Sequence, residues 1–180
     1  MIIPRITKPY EPGLPALGDD LENYLVVAGG SVTLKLEPGD KFKIINLEGL
    51  QQAELVVFNS KGECSLSPLS LKSEHKGELT KKILTSNEES AQIAYSKLKR
   101  LGHDVNSINQ SVLVFSKEAE ANSIEEFSSN DSSICIISAP GEFEITHENI
   151  PASELRVIVQ RSRKREEGEF LLPDPLMDPV

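Results

Sequence analysis

The stretch VVAGGSVTLKLEPGDKFKIINLEGLQQAELVVFN, Val26 to Asn59, decides the fold class. Within it Val32, Leu34 and Leu36 alternate with Thr33, Lys35 and Glu37, and a period of two places one set on a buried face and the other on a wet face of a β-strand. Pro38-Gly39 supplies a turn, because proline presets φ and glycine accepts a positive one. KFKIINL resumes the alternation through Phe42 and Ile44, and Gly49 marks the next bend. AELVVF, Ala53 to Phe58, is a further strand rich in β-branched and aromatic residues, closed by the turn-forming NSKGE.

Outward from this block the same pattern recurs. YLVVAGG precedes it as a strand, and prolines at 4, 9, 12 and 15 make residues 1–20 an extended arm. Residues 64–85 carry little periodicity and are expected to form a long surface excursion with one short strand. Ser86 to Leu101 predicts a helix. Ser86 and Glu89 form a capping box, Ala91, Ala94, Tyr95, Leu98 and Leu101 share a stripe, Lys97, Lys99 and Arg100 suit its negative end, and Gly102 stands at C′. SVLVF at 111–115 is a strand, a short helix is expected around Glu118 to Phe127, and ICIIS at 134–138 is a central strand. A strand through Phe143 and Ile145 follows, and Leu155, Val157 and Val159 face inward from the last one.

Seven to eight short antiparallel strands with one packed amphipathic helix predict a mainly β (α+β) fold, a β-barrel or two-sheet sandwich. The β domain is expected over 21–165, with a proline-rich linker or C-terminal strip over 166–180. Nineteen basic against 28 acidic residues, net charge −9, argue against nucleic acid. The run RSRKR reads as a solvated strand end. No apolar segment approaches the roughly 20 residues of a membrane span. The absence of a signal-peptide pattern, with two isolated cysteines, predicts a cytoplasmic, reduced protein.

Chemistry-bearing residues are sparse. Glu54 and Glu48 flank the Gly49 bend with Gln51 and Gln52, a set able to present carboxylates and amides to a small cationic or amide substrate. Alternation with Leu55 predicts that Glu54 faces solvent. Glu63, Cys64 and His75 complete the candidates, Glu63 and Cys64 with Glu54 as catalytic residues, and His75 with Gln51, Gln52 and Glu48 as substrate-binding ones. The spacings of Cys64, His75 and His103 match no close-paired ligand pattern, so no metal site is expected. His103 is expected to cap the helix end, His147 to sit in a surface turn, and Cys135 to fill core. Gly29-Gly30 is followed by a strand, not a helix, and is no nucleotide cradle.

The Val26–Asn59 block resembles the urea carboxylase-associated family, with its turn after GD and its D-x-x-G-x-Q segment followed by an acidic strand. IISAPGEF and SELRVIVQRS are similar to the closing strands of the copy fused to glycine-cleavage T-protein-like, folate-dependent aminomethyltransferases. This chain departs from the pattern at Asn46 and Glu54, where the family carries aspartates, and lacks a cysteine-bearing middle block. The resemblance implies a non-catalytic accessory domain, positioning substrate or making subunit contacts. Its partner would be a C-terminal aminomethyltransferase-like domain or a paired homologous subunit, and a homodimer is the assembly favoured by base rate. No cofactor is expected in this chain, tetrahydrofolate belonging to the larger parent. The alternative implied by the family is a stand-alone carboxyguanidine deiminase-like subunit.

Overall fold

The computed structural model describes residues 20–139 and 154–162. All but the last residue of the expected N-terminal arm, the expected strand through Phe143 and Ile145, His147, and the strip 166–180 lie outside the described residues.

Eight strands are present among the described residues: β1 (Leu21–Val26), β2 (Ser31–Leu36), β3 (Lys41–Asn46), β4 (Ala53–Phe58), β5 (Val112–Val114), β6 (Ser123–Ser128), β7 (Ser133–Ser138) and β8 (Leu155–Gln160). They form two four-stranded sheets, β1-β8-β3-β6 and β2-β7-β4-β5, with every pairing antiparallel. The pairs β1–β8, β2–β7, β3–β6 and β4–β5 are nested, like one long hairpin folded over itself. That is the strand order of a jelly roll, a double-sheet sandwich and not a closed barrel.

Two apolar layers result. Between the sheets, Val26, Leu34, Ile44, Leu55, Val57, Ile137 and Val157 form one buried cluster. Each such side chain contributes about 1.5–3 kcal/mol by leaving water. On the other face of the second sheet, Val56, Phe58 and Ile136 pack under two helices, α1 (Glu78–Leu84) and α2 (Glu89–Arg100), through Leu84, Ala94 and Leu98. This second layer explains why β4 is buried at every position. It also buries Thr33, expected on a wet face, whose hydroxyl donates to the Ala94 carbonyl at 3.0 Å.

Several local expectations need correction. Residues 64–85 hold a 3₁₀ turn at Ser67–Leu69 and the helix α1. The N-cap of α1 is Gly77, which has no side chain to cap it, so the local sequence carries no start signal. α2 starts at Glu89. Its N-cap is Glu88, whose carboxylate accepts from Ala91 N at 2.9 Å, and Ser86 Oγ accepts from Glu88 N instead of closing the expected capping box. The C-terminal end is as expected. Gly102 N donates to Lys99 O and His103 N to Leu98 O, a Schellman motif. The His103 ring stacks on Phe58 at 4.5 Å, and burial lowers its pKa, so its backbone, not its charge, closes the helix. The helix expected around 118–127 is a turn followed by β6, because edge pairing with β3 overrides local helix propensity.

The end of the sandwich holding the β2–β3 turn is closed by a buried ion network. Arg161 donates to both Glu22 oxygens at 2.9 and 2.8 Å, to Asp40 Oδ2 at 2.7 Å and to the Lys35 carbonyl at 2.7 Å. Ser162 N and Glu37 N also donate to Asp40, and the Tyr24 hydroxyl donates to Glu22 at 2.6 Å. Burial and the neighbouring Glu22 carboxylate push the Tyr24 phenol up. Arg161 opens the basic run and is ion-paired on both sides, which corrects its reading as part of a solvated strand end.

Candidate functional site

The opposite end of the sandwich gathers the loops after β1, β3 and β5 and three of the sequence-selected polar residues, Glu48, Gln51 and Gln52. β3 alternates Phe42, Ile44 and Asn46 into the core, so Asn46 reaches the end of the inter-sheet layer fully buried. Its Nδ2 donates to the Gln51 carbonyl at 2.6 Å, while its Oδ1 has no partner. Gln51 is buried, Gln52 is half-buried with Nε2 donating to the Phe115 carbonyl at 3.3 Å, and Glu48 is exposed.

Backbone strain concentrates here. Leu50 (φ 59°) and Phe115 (φ 67°) are bulky residues in the left-handed region, joined by Asn122 at 62°. Each bulky case costs about 1–3 kcal/mol and persists only where its surroundings enforce it. The enforcement is visible: Leu50 N donates to Ala119 O at 2.8 Å. Gly49 (φ +77°) passes so close to the loop after β5 that a Cβ would lie 2.6 Å from Ala119 O and 2.7 Å from Ala121 N. The two loops are locked backbone to backbone.

Glu54 stands on the other side of the second sheet, in the helix-facing layer. The expectation of a solvent-facing residue is overturned, since Glu54 is 1% exposed. One carboxylate oxygen accepts from Thr80 N at 2.6 Å and the other from Ser111 Oγ at 2.9 Å, and that hydroxyl accepts from Gly77 N at 2.8 Å. Glu54 therefore supplies the cap that Gly77 cannot, holding the first turn of α1 from a neighbouring strand. Ser31, Ser138 and Glu54 form one cross-strand row, with the two serine hydroxyls 2.8 Å apart.

The remaining candidates do not converge. His75 is exposed and pairs with Ser111 through its backbone alone. Cys64 bridges to Phe58, four residues along β4 from Glu54, or about 13 Å at the rise of a strand. Its thiol donates to Gln110 O and accepts from Asn109 N, each at 3.5 Å. Glu63 is exposed in the turn after β4, accepting from Asn59 Nδ2. Cys135 is fully buried between the sheets, and burial drives its thiol pKa up. Among the described residues no three His, Cys, Asp or Glu side chains gather as metal ligands, and no helix is long and apolar enough to cross a membrane.

Sequence reasoning missed Ser111, Thr80, Gly77 and the placement of Asn46. Thr80 and Ser111 meet Glu54, and Gly77 meets Ser111, across 26, 57 and 34 positions of chain, and no local pattern announces such a meeting. One signal was present for Glu54 itself: the unbroken apolar run after it marks a strand buried on both faces.

No family model matches the chain. A trimethylamine-oxide aldolase from Ruegeria pomeroyi strain DSS-3 is 30% identical over 186 aligned residues, which take in 99% of this chain and 23% of the aldolase. The chain thus spans about a quarter of the length of that relative. Two expectations are corrected by this match: a relative aligned along the whole chain carries the name of a lyase, which overturns the non-catalytic accessory domain and gives the deiminase alternative no support. The aminomethyltransferase-like C-terminal partner and the paired subunit are likewise unsupported. In fold, the chain is similar to the crystal structure of a DUF1989 family protein from Silicibacter pomeroyi DSS-3, with a TM-score of 0.51 at 12% identity over 86% of this chain and 83% of the other. Neither comparison shows a urea carboxylase-associated protein, so what stands is a mainly β domain with a DUF1989-like fold, similar in sequence to part of an aldolase.

Proposed function

We propose that this chain is part of a carbon–nitrogen lyase of the aldolase type acting on a small methylated amine oxide, and that its strained loop end contributes to the substrate site. The observation that carries this reading is the 30% identity along 99% of the chain to a protein named for that activity. The chemistry is self-contained. An aldolase acting on trimethylamine oxide releases a one-carbon aldehyde and dimethylamine, whose atoms together equal the substrate's. A methyl carbon is oxidised while the N–O bond is reduced, so no external oxidant or reductant is consumed.

Support from the geometry lies in the amides of Asn46, Gln51 and Gln52 under loops held in strained conformations, the setting in which binding sites are preorganised. Glu54 acts here as a positioning residue, since its carboxylate is committed to α1 and Ser111. Glu63, Cys64 and His75 carry no step.

The test is formaldehyde release from trimethylamine oxide by the full protein to which this chain belongs. Turnover is expected, and Gln51→Leu should lower kcat/KM tenfold or more in protein that remains folded. A folded protein that forms no formaldehyde, or a Gln51→Leu variant with wild-type kinetics, would overturn the assignment.

A further inference from the structure

We propose that Leu50 is a substrate-contact residue, held in a strained conformation so that its side chain meets the methyl groups of a small methylated amine oxide; the identity of that ligand rests on the lyase reading above. Among the described residues, Leu50, Ser70, Phe115 and Asn122 have positive φ without being glycine. The last three have a visible reason. Ser70 (φ 57°) ends the 3₁₀ turn Ser67–Leu69, with its N–H donating to the Ser67 carbonyl. Phe115 (φ 67°) packs its ring on the inter-sheet core. Asn122 (φ 62°) is of a residue type that enters the left-handed region readily. Leu50 (φ 59°) instead leaves 45% of its surface in water.

The backbone at this position is accounted for by the locked loops, since Leu50 N donates to Ala119 O at 2.8 Å. That lock calls for a left-handed residue, not for leucine. Glycine or asparagine would take the same φ with less strain, and a leucine nearly half in water returns only part of what full burial would give. A bulky apolar side chain kept there against its own backbone therefore serves a contact beyond the core, and strain of this kind collects at ligand-binding loops.

The neighbouring residues indicate the kind of ligand. Leu50 lies in sequence between the exposed carboxylate of Glu48 and the amides of Gln51 and Gln52. An amine oxide carries its methyl groups on a positively polarised nitrogen and has a negatively polarised oxygen. Leucine covers the methyl groups by excluding water from both surfaces, and the Glu48 carboxylate favours the positive end. Gln52 gives one N–H to the Phe115 carbonyl at 3.3 Å and has a second to offer the oxygen. An amine without methyl groups would leave Leu50 wet, so this residue sets the preference for a methylated substrate.

The test reads stability and kinetics of the full protein in parallel. Leu50→Asn relieves the backbone and removes the apolar contact, so it should melt no lower than the wild type while KM for trimethylamine oxide rises about tenfold or more. The rise should fall on KM and not on kcat, the sign of binding made equally in ground and transition states. Leu50→Met, apolar and of similar volume, should raise KM less than about threefold. A clearly lowered melting temperature in both Leu50→Asn and Leu50→Gly would show a side chain kept for packing and overturn the inference, as would an unchanged KM in either. Trimethylamine oxide binding is followed separately by calorimetry. Binding lost in Leu50→Asn, with no formaldehyde released by the wild type, removes the lyase reading and keeps the contact; formaldehyde release with KM unchanged in Leu50→Asn does the reverse. A wild-type protein that does not bind trimethylamine oxide overturns both.

Discussion

Replacing Arg161 by alanine should be among the most destabilising single changes in this fold. The side chain makes four hydrogen bonds, two to Glu22, one to Asp40 and one to the Lys35 carbonyl, and ties the end of β8 to β1 and to the β2–β3 turn. Its removal takes the paired cation from two carboxylates whose side chains are only 10% and 2% exposed. Breaking a buried pair from one side costs about 3–5 kcal/mol, because the desolvated partner charge remains. Against a total stability of about 5–15 kcal/mol, that is roughly a fifth or more of the whole. Urea denaturation at pH 7 should show a lower midpoint at an unchanged slope, the sign of lost stability without altered exposure. Arg161→Lys keeps the charge but not the planar fork and should lose an intermediate amount. The penalty should also shrink in acid. Burial raises the Asp40 pKa, but hydrogen bonds from Glu37 N, Ser162 N and Arg161 outweigh it and hold the carboxyl below its ordinary value of 3.8. A depressed carboxyl contributes stability above that value, and the contribution is lost as pH falls through the folded pKa. A loss below about 1 kcal/mol for Arg161→Ala at pH 7 is what a solvent-screened surface pair would give, and would refute the reasoning.

Three further outcomes follow from the same geometry. Gly77→Ala should lower the melting temperature sharply, since φ is +72° and the new Cβ would lie 2.3 Å from Ile108 Cγ2; strain at such a position costs about 1–3 kcal/mol before the clash is counted. Glu54→Ala should cost roughly 2 kcal/mol or more by leaving Thr80 N and the Ser111 hydroxyl without an acceptor, whereas Glu54→Gln keeps an oxygen for Thr80 N and should lose about half as much in urea titrations. Burial lowers the His103 pKa from 6.5, so the folded state holds the ring neutral where the unfolded chain binds a proton; stability should fall as pH drops through about 6.5 towards the folded value, and thermal melts of His103→Phe should lack that component.

Much of the β layout was legible because alternation is a local property. Val32, Leu34 and Leu36, or Leu155, Val157 and Val159, announce a buried face at a period of two, and the helix ending at Gly102 announces its own stop. The candidate site was legible only in part. Gln51 and Gln52 could be singled out beside the Gly49 bend, but the strain at Leu50 and Phe115 exists because two loops far apart in the chain lock together. Glu54 shows the limit most clearly. Period-two reasoning assigns it to solvent, and the error lies in assuming a single core: two helices bury the other face of its sheet as well.

By itself, then, the sequence determined most of the strands, β6 excepted, and where the main helix ends, since each depends on neighbours within a few residues. The tertiary structure decided the nested strand pairing, the start of α1 through Glu54, the Arg161 network and the unpartnered oxygen of Asn46. Those features join residues separated by tens of positions, and their energies come from desolvation and packing that arise only when distant segments meet.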